Sequence, residues 1–189
     1  MFNTVKKDIQ KYIATDDVKG IGAKIYLFAF NYSLWVIISY RFGRWVRYNF
    51  KIPILKQILK IITKILHEIL GMITGIQIQF ETKIGSGLYI GHTGFLIINS
   101  GAVIGENCNL GVGVVIGQGG RGPQKGCPDI GDNVFIGVGA KVIGKIKIGN
   151  CVAIGANAVV TKDIPENATA VGIPARVINY SGSKDFIKT

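Results

Sequence analysis

Aliphatic residues recur every six positions through the C-terminal half of the chain. The first run is Ile78, Ile84 and Ile90, and the second Ile98, Ile104, Leu110 and Ile116. The third is Ile130, Ile136, Val142, Ile148, Ile154 and Val160. A short strand and a tight turn together occupy that length, and three such units make one triangular coil of about 18 residues. Each aliphatic points inward and stacks on its counterpart one coil away, while the strands pair in parallel. The thirteen positions predict a little over four coils around one continuous core. Glycine follows the aliphatic directly at nine of the thirteen, from Gly85 to Gly155, where it is expected to relieve backbone strain at the turn. The glycines show no every-third-residue period, which excludes collagen. A hydrophobic fraction of 48% and a charged fraction of 17% exclude disorder.

The register slips twice, and interruptions of a structural repeat are where function is sought. Ile90 and Ile98 are separated by two residues more than the period, within GHTGFL, which holds His92 between Gly91 and Gly94. Ile116 and Ile130 are separated by two more than a double period. The intervening GQGGRGPQKGCPD is a polar loop kept from strand by Pro123 and Pro128. The two breaks are spaced so as to meet at neighbouring coils or across a subunit boundary. His92, with small neighbours that keep it accessible, is the candidate general base, because imidazole titrates near neutral pH. His67, on an apolar helix, reads as structural. Two histidines do not make a three-histidine zinc site, so no metal is expected, and no serine sits in a nucleophile elbow.

Residues 1–75 read as helical. Thr4 to Ile13 is an amphipathic start, and Ile25 to Tyr40 is an uncharged apolar run too short for a membrane span. Arg41, Arg44 and Arg47 follow it, and Pro53 opens a second helix with a broad apolar face and Lys56, Lys60 and Lys64 on the other side. Such a pair serves helix packing and oligomer contact, or binds an anionic membrane surface. The net charge of +11 suits an anionic partner. No zinc-finger spacing or RNA-binding aromatic signature accompanies it, so nucleic acid is not expected. Three widely spaced cysteines and a lysine-bearing N-terminus with no apolar core predict a reducing, cytoplasmic setting, with peripheral contact at the inner membrane face as an option. The domains are 1–75 helical, 76–178 repeat, and 179–189 tail.

From Thr74 to Ile178 the chain resembles the hexapeptide-repeat acyltransferases, and within them the serine acetyltransferase group. The resemblance is carried by TGIQIQFETKIGSGLYIGHTG, VIGENCNLGVGVVIGQGGRG, IGDNVFIGVGAKVIG and IGNCVAIGANAVVTKDIPENATAVGIPARVI. It implies a left-handed parallel β-helix with an N-terminal α-helical region. The implied assembly is a homotrimer, with a dimer of trimers as a further option, and active sites between neighbouring subunits. Acetyl-CoA is the implied co-substrate. The resemblance places His92 as catalytic base and backbone N–H groups at Gly119 and Gly120 on the oxyanion. Gly139, Ala140 and Ala158 would lie along the pantetheine arm, with Lys162 and Arg176 at the phosphates. Lys125 and Cys127 fall in the acceptor-site loop, and Cys127 reads as an ordinary loop residue rather than a reactive thiol.

The chain departs from the serine enzymes at the positions that receive the amino acid. Gly91 replaces an aspartate, Gly126-Cys127 an arginine–histidine pair, and Gln77 and Gln79 an acidic residue and a histidine. Glu81 is the remaining candidate to orient His92. These departures favour a neutral sugar hydroxyl in surface-polysaccharide synthesis as acceptor. The alternatives are serine O-acetylation and an inactive trimeric scaffold.

Overall fold

The computed structural model describes residues 1–188. Four helices, α1 (Phe2–Thr15), α2 (Gly20–Phe30), α3 (Tyr32–Tyr48) and α4 (Pro53–Thr74), precede a parallel β-helix of three faces. Face A stacks β1 (Ile76–Ile78), β4 (Leu96–Ile98), β7 (Val115–Gly117), β10 (Lys141–Ile143) and β13 (Val159–Val160). Face B stacks β2 (Lys83–Ile84), β5 (Val103–Ile104), β8 (Asp129–Ile130) and β11 (Lys147–Ile148). Face C stacks β3 (Tyr89–Ile90), β6 (Asn109–Leu110), β9 (Phe135–Ile136), β12 (Ala153–Ile154) and β14 (Thr169–Val171). An antiparallel β15 (Arg176–Asn179) joins the end of face C.

All thirteen repeat aliphatics are buried. In register, Ile78, Ile98, Ile116, Val142 and Val160 form one interior column. The coils number five rather than a little over four. Ile164 follows Val160 by only four residues, so a six-residue count misses it, yet it bridges Ile148 on face B, and Ala170 pairs Ile154 on face C. The glycines after the aliphatics also act differently from expectation. They keep negative φ, and what they provide is close stacking: a Cβ on Gly105 would strike the backbone of Gly131 in the next coil. The left-handed turn sits two residues later, at Asn107 and Asn133 and their equivalents.

A solenoid's first coil has no coil before it, so one row of its backbone groups lacks strand partners. Side chains from the helices meet that row around the circumference. On face A, His67 Nε2 lies 2.7 Å from the Ile78 carbonyl. At the next corner Arg44 donates to the carbonyls of Phe80, Glu81 and Thr82, and Tyr40 to Thr82 at 2.6 Å. On face B, Arg41 donates to Ile84 and Gly85. At the B–C corner Asp8 accepts from the N–H groups of Gly87 and Leu88 at 2.8 and 3.0 Å. On face C the Tyr12 hydroxyl both donates to and accepts from the backbone of Ile90. Asp8 and Arg41 are themselves paired at 2.9 Å, the carboxylate fully buried. The arginines read as basic flanks of an apolar run are thus internal fasteners.

The apolar run itself is not one helix. Asn31 interrupts it, its side chain capping α3 by accepting from Leu34 N–H, and α2 and α3 meet at 69°. No single described helix is long and apolar enough to cross a membrane. In α4 the face turned to the body carries Thr63, His67 and Thr74, and its isoleucines point outward. The tail runs back along face C. Ser183 donates to the Asn133 carbonyl, Phe186 stacks on Phe135 at 4.6 Å, and the Lys188 carbonyl accepts from Lys11 of α1. Thr189 lies outside the described residues.

Arg41→Ala leaves a buried carboxylate and two carbonyls without their partner. It is expected to cost about 3–5 kcal/mol in urea unfolding, with Asp8→Ala comparable.

Candidate active site

The two register breaks fall on opposite edges of face A. Residues 91–95 turn the C–A corner between β3 and β4. Residues 118–128 turn the A–B corner between β7 and β8. The first loop is tied to the end of α4, with Gly94 N–H donating to Thr74 and Leu96 N–H to Gly75. At Gly94, φ is 140°, and a Cβ would collide with Val112. Within that anchored loop His92 is exposed, and among the described residues its ring has no hydrogen-bond partner. An accessible, uncommitted imidazole on a fixed loop is able to take a proton from a bound hydroxyl.

The C–A corner also carries Gly139 and Ala140 in one coil and Ala158 in the next, and Arg176 opposite Val171 at the far end of face C. The Ala140 and Ala158 side chains are in the core, and their N–H groups donate to Gly137 and Gly155 within the same corner. What this edge offers an extended ligand is close approach along a column of small residues, with an exposed cation at its end. Arg176 is exposed there, and Lys162 is exposed on the other edge, the A–B corner of the last coil.

The A–B edge holds Gly119, Gly120, Lys125 and Cys127. Gly119 exchanges both backbone hydrogen bonds with Gly126 at 3.0 Å, so its N–H is engaged within the loop. Gly120 follows at φ 80°. Lys125 is exposed. The Cys127 thiol donates to Asn99 Oδ1 at 3.2 Å, and burial raises its pKa. Glu81 lies on this edge too, away from His92 of the same chain, so it does not orient that ring within one chain.

Sequence reasoning missed a polar groove between α4 and β1. Gln77 and Gln79 line it beside Arg47 and Lys64, which are cationic, and Glu68 and Glu81, which are anionic. No local pattern in the sequence joins α4 to the first strand; only the contacts of the helices with the first coil do. His67 forms part of its floor. Its ring lies between Ser39 Oγ, 3.1 Å from Nδ1, and the Ile78 carbonyl, and burial lowers its pKa.

Three comparisons bear on this geometry. The family of bacterial transferase hexapeptide repeats matches residues 128–162. A serine acetyltransferase of Synechococcus elongatus is 32% identical over 182 residues, covering 96% of this chain and 70% of that protein. A serine acetyltransferase of Staphylococcus aureus is 45% identical over 109 residues, 58% of this chain and 51% of its own length. Among solved structures, serine acetyltransferase from Brucella abortus in complex with coenzyme A superposes with a TM-score of 0.80. Its identity is 29%, over 96% of this chain and 68% of that one.

His67 is neutral in the folded protein, with a pKa below its ordinary 6.5. The unfolded chain therefore binds the extra proton first, and stability is expected to fall as pH drops through and below that value. Denaturant midpoints across the acid range should show this slope, and His67→Gln should lack it. The raised Cys127 pKa predicts slow alkylation by iodoacetamide at neutral pH, rising in alkaline buffer, measured by mass spectrometry.

Proposed function

The chain belongs to the serine acetyltransferase family of hexapeptide-repeat transferases, and from that premise we propose that L-serine is its acceptor, with His92 the general base. It is an acetyl-CoA-dependent acetyltransferase. The observation that carries the serine reading is the Synechococcus match, which runs from the helical cap to the last coil. The groove beside Gln77 and Gln79 supports it: Lys64 and Glu68 pair with each other at 2.8 Å, and Arg47 and Glu81 present one charge of each sign to a zwitterion.

The residues divide the work between two edges. His92 takes the hydroxyl proton at a ring nitrogen, and the oxygen attacks the thioester carbon. The Gly120 N–H faces the developing oxyanion. Collapse of the tetrahedral intermediate breaks the carbon–sulfur bond, and the imidazolium returns its proton to the departing thiolate. Acetyl-CoA lies along the small-residue column of Gly139, Ala140 and Ala158, with Arg176 of the same copy and, from the facing A–B edge of its neighbour, Lys162 at its phosphates. Since His92 and the Gly120 loop lie on opposite edges of face A, one copy supplies the base and its neighbour the loop. A homotrimer closes three such sites.

A second reading has its own observation. Gly91, Gly126 and Cys127 carry no charge where the serine enzymes hold an aspartate and an arginine–histidine pair, and a sugar hydroxyl of a surface polysaccharide asks for none there. Thiol release from acetyl-CoA, with L-serine set against nucleotide sugars and oligosaccharides, separates the two. Turnover with serine supports the first reading, and turnover with a sugar alone replaces it with the second.

On whichever acceptor is active, His92→Ala is expected to lower kcat by about 10²–10⁴-fold at unchanged melting temperature. Cys127→Ala should keep most activity, since its thiol only holds Asn99; a loss as deep as that of His92→Ala would make the thiol part of the chemistry.

A further inference from the structure

Helix α2, GIGAKIYLFAF, is apolar around its circumference except at Lys24, yet Leu27 is its only buried residue. Ile21 is 80% and Ile25 64% exposed. A helix apolar all round belongs in a core or in a non-aqueous medium. Helix α4 repeats the anomaly in another form. Its polar Thr63 and His67 face the body, while Ile54, Ile58, Ile61, Ile65, Ile69 and Met72 face out. Between these helices and α3 runs a groove walled by Phe28, Trp35, Phe42, Leu66 and Ile69.

The unpaired charge around this surface has one sign, since Glu68 of α4 is paired with Lys64 and Asp17 with Lys19. From Val18 to His67 the sequence contains no aspartate or glutamate. The three arginines of that stretch are fastened to the chain's own backbone or rings. The lysines remain: Lys24 borders the α2 groove, and Lys51, Lys56 and Lys60 line one cleft at the α3–α4 turn. Tyr26, Tyr32, Trp35 and Tyr48 are exposed among them, the aromatic types that favour headgroup depth. The Trp35 Nε1–H already donates to Phe28 O at 2.6 Å, so the ring enters an apolar layer without an unpaired donor.

We propose that α2, α3 and α4 together form a membrane-docking face that seats on a bilayer bearing anionic phosphate headgroups. The isoleucines and aromatics enter the acyl boundary and the lysines meet the phosphates. The 69° break between α2 and α3 lays the apolar run in the interface rather than across it. A second copy of the same face is the poorer occupant, since it would oppose Lys24, Lys51, Lys56 and Lys60 to lysines, the one carboxylate of α4, Glu68, being already paired with Lys64.

Flotation of the full-length protein tests this with vesicles of phosphatidylcholine alone and of phosphatidylcholine mixed with phosphatidylglycerol. Wild type should float with the mixed vesicles, not with phosphatidylcholine, and less at high salt. Lys56→Glu with Lys60→Glu should lower partitioning by more than about tenfold. Ile61→Asp with Ile65→Asp should abolish it at unchanged melting temperature and thiol-release activity. Failure to float with mixed vesicles, or flotation indifferent to the isoleucine changes, overturns the proposal. So does a wild type that stays unbound while the isoleucine changes halve its assembly mass in light scattering, which assigns the face to a second copy.

Discussion

The unpaired backbone edge of the first coil is the constraint on which the rest of the structure depends. A parallel solenoid satisfies its interior coils automatically, each from the next, but its ends are open. Here the opening is closed by side chains of Asp8, Tyr12, Tyr40, Arg41, Arg44 and His67, each reaching a different arc of the coil. Because these polar groups project from three different helices onto fixed backbone positions, the helical region is locked in one orientation on the β-helix. The same contacts bring α4 beside β1 and so create the polar groove. They also pin the end of α4 against Gly94, which fixes the loop that carries His92.

Face A then decides how the chemistry is distributed. Its leading edge holds His92 and the small-residue column, and its trailing edge holds the Gly120 loop and the groove beside Gln79. The separation is built into the winding: the same strand cannot begin and end at one corner. A site that needs both edges is therefore complete only where the leading edge of one copy meets the trailing edge of another. The tail along face C leaves face A and both of its edges uncovered.

Much of the β-helix was legible in the sequence because its period is written into residue types. All thirteen aliphatics from Ile78 to Val160 occupy the core, and His92 stands exposed at its register break. The fifth coil was not legible, since Ile164 arrives after a shortened corner and Ala170 is too small to mark a hydrophobic register. The glycine role was misassigned because spacing records where a side chain is excluded, not whether φ or a neighbouring coil excludes it. Arg41 and Arg44 read as basic flanks of an apolar run because their acceptors are backbone carbonyls about 40 positions away, which no local pattern announces. The engaged N–H of Gly119 was hidden for the same reason: its partner, Gly126, is defined by a loop conformation.

The central claim is that catalysis requires the leading edge of one chain and the trailing edge of another. Mixing two inactive variants tests it most directly. His92→Ala removes the base, and Gly120→Val forces a side chain against the Gln124 carbonyl and distorts the loop. Co-expressed and purified as mixed assemblies, the two should regain acetyl transfer to a level neither shows alone, because some interfaces then join an intact base to an intact loop. Mixed assemblies as inactive as their components would place the whole site within one chain and contradict the account.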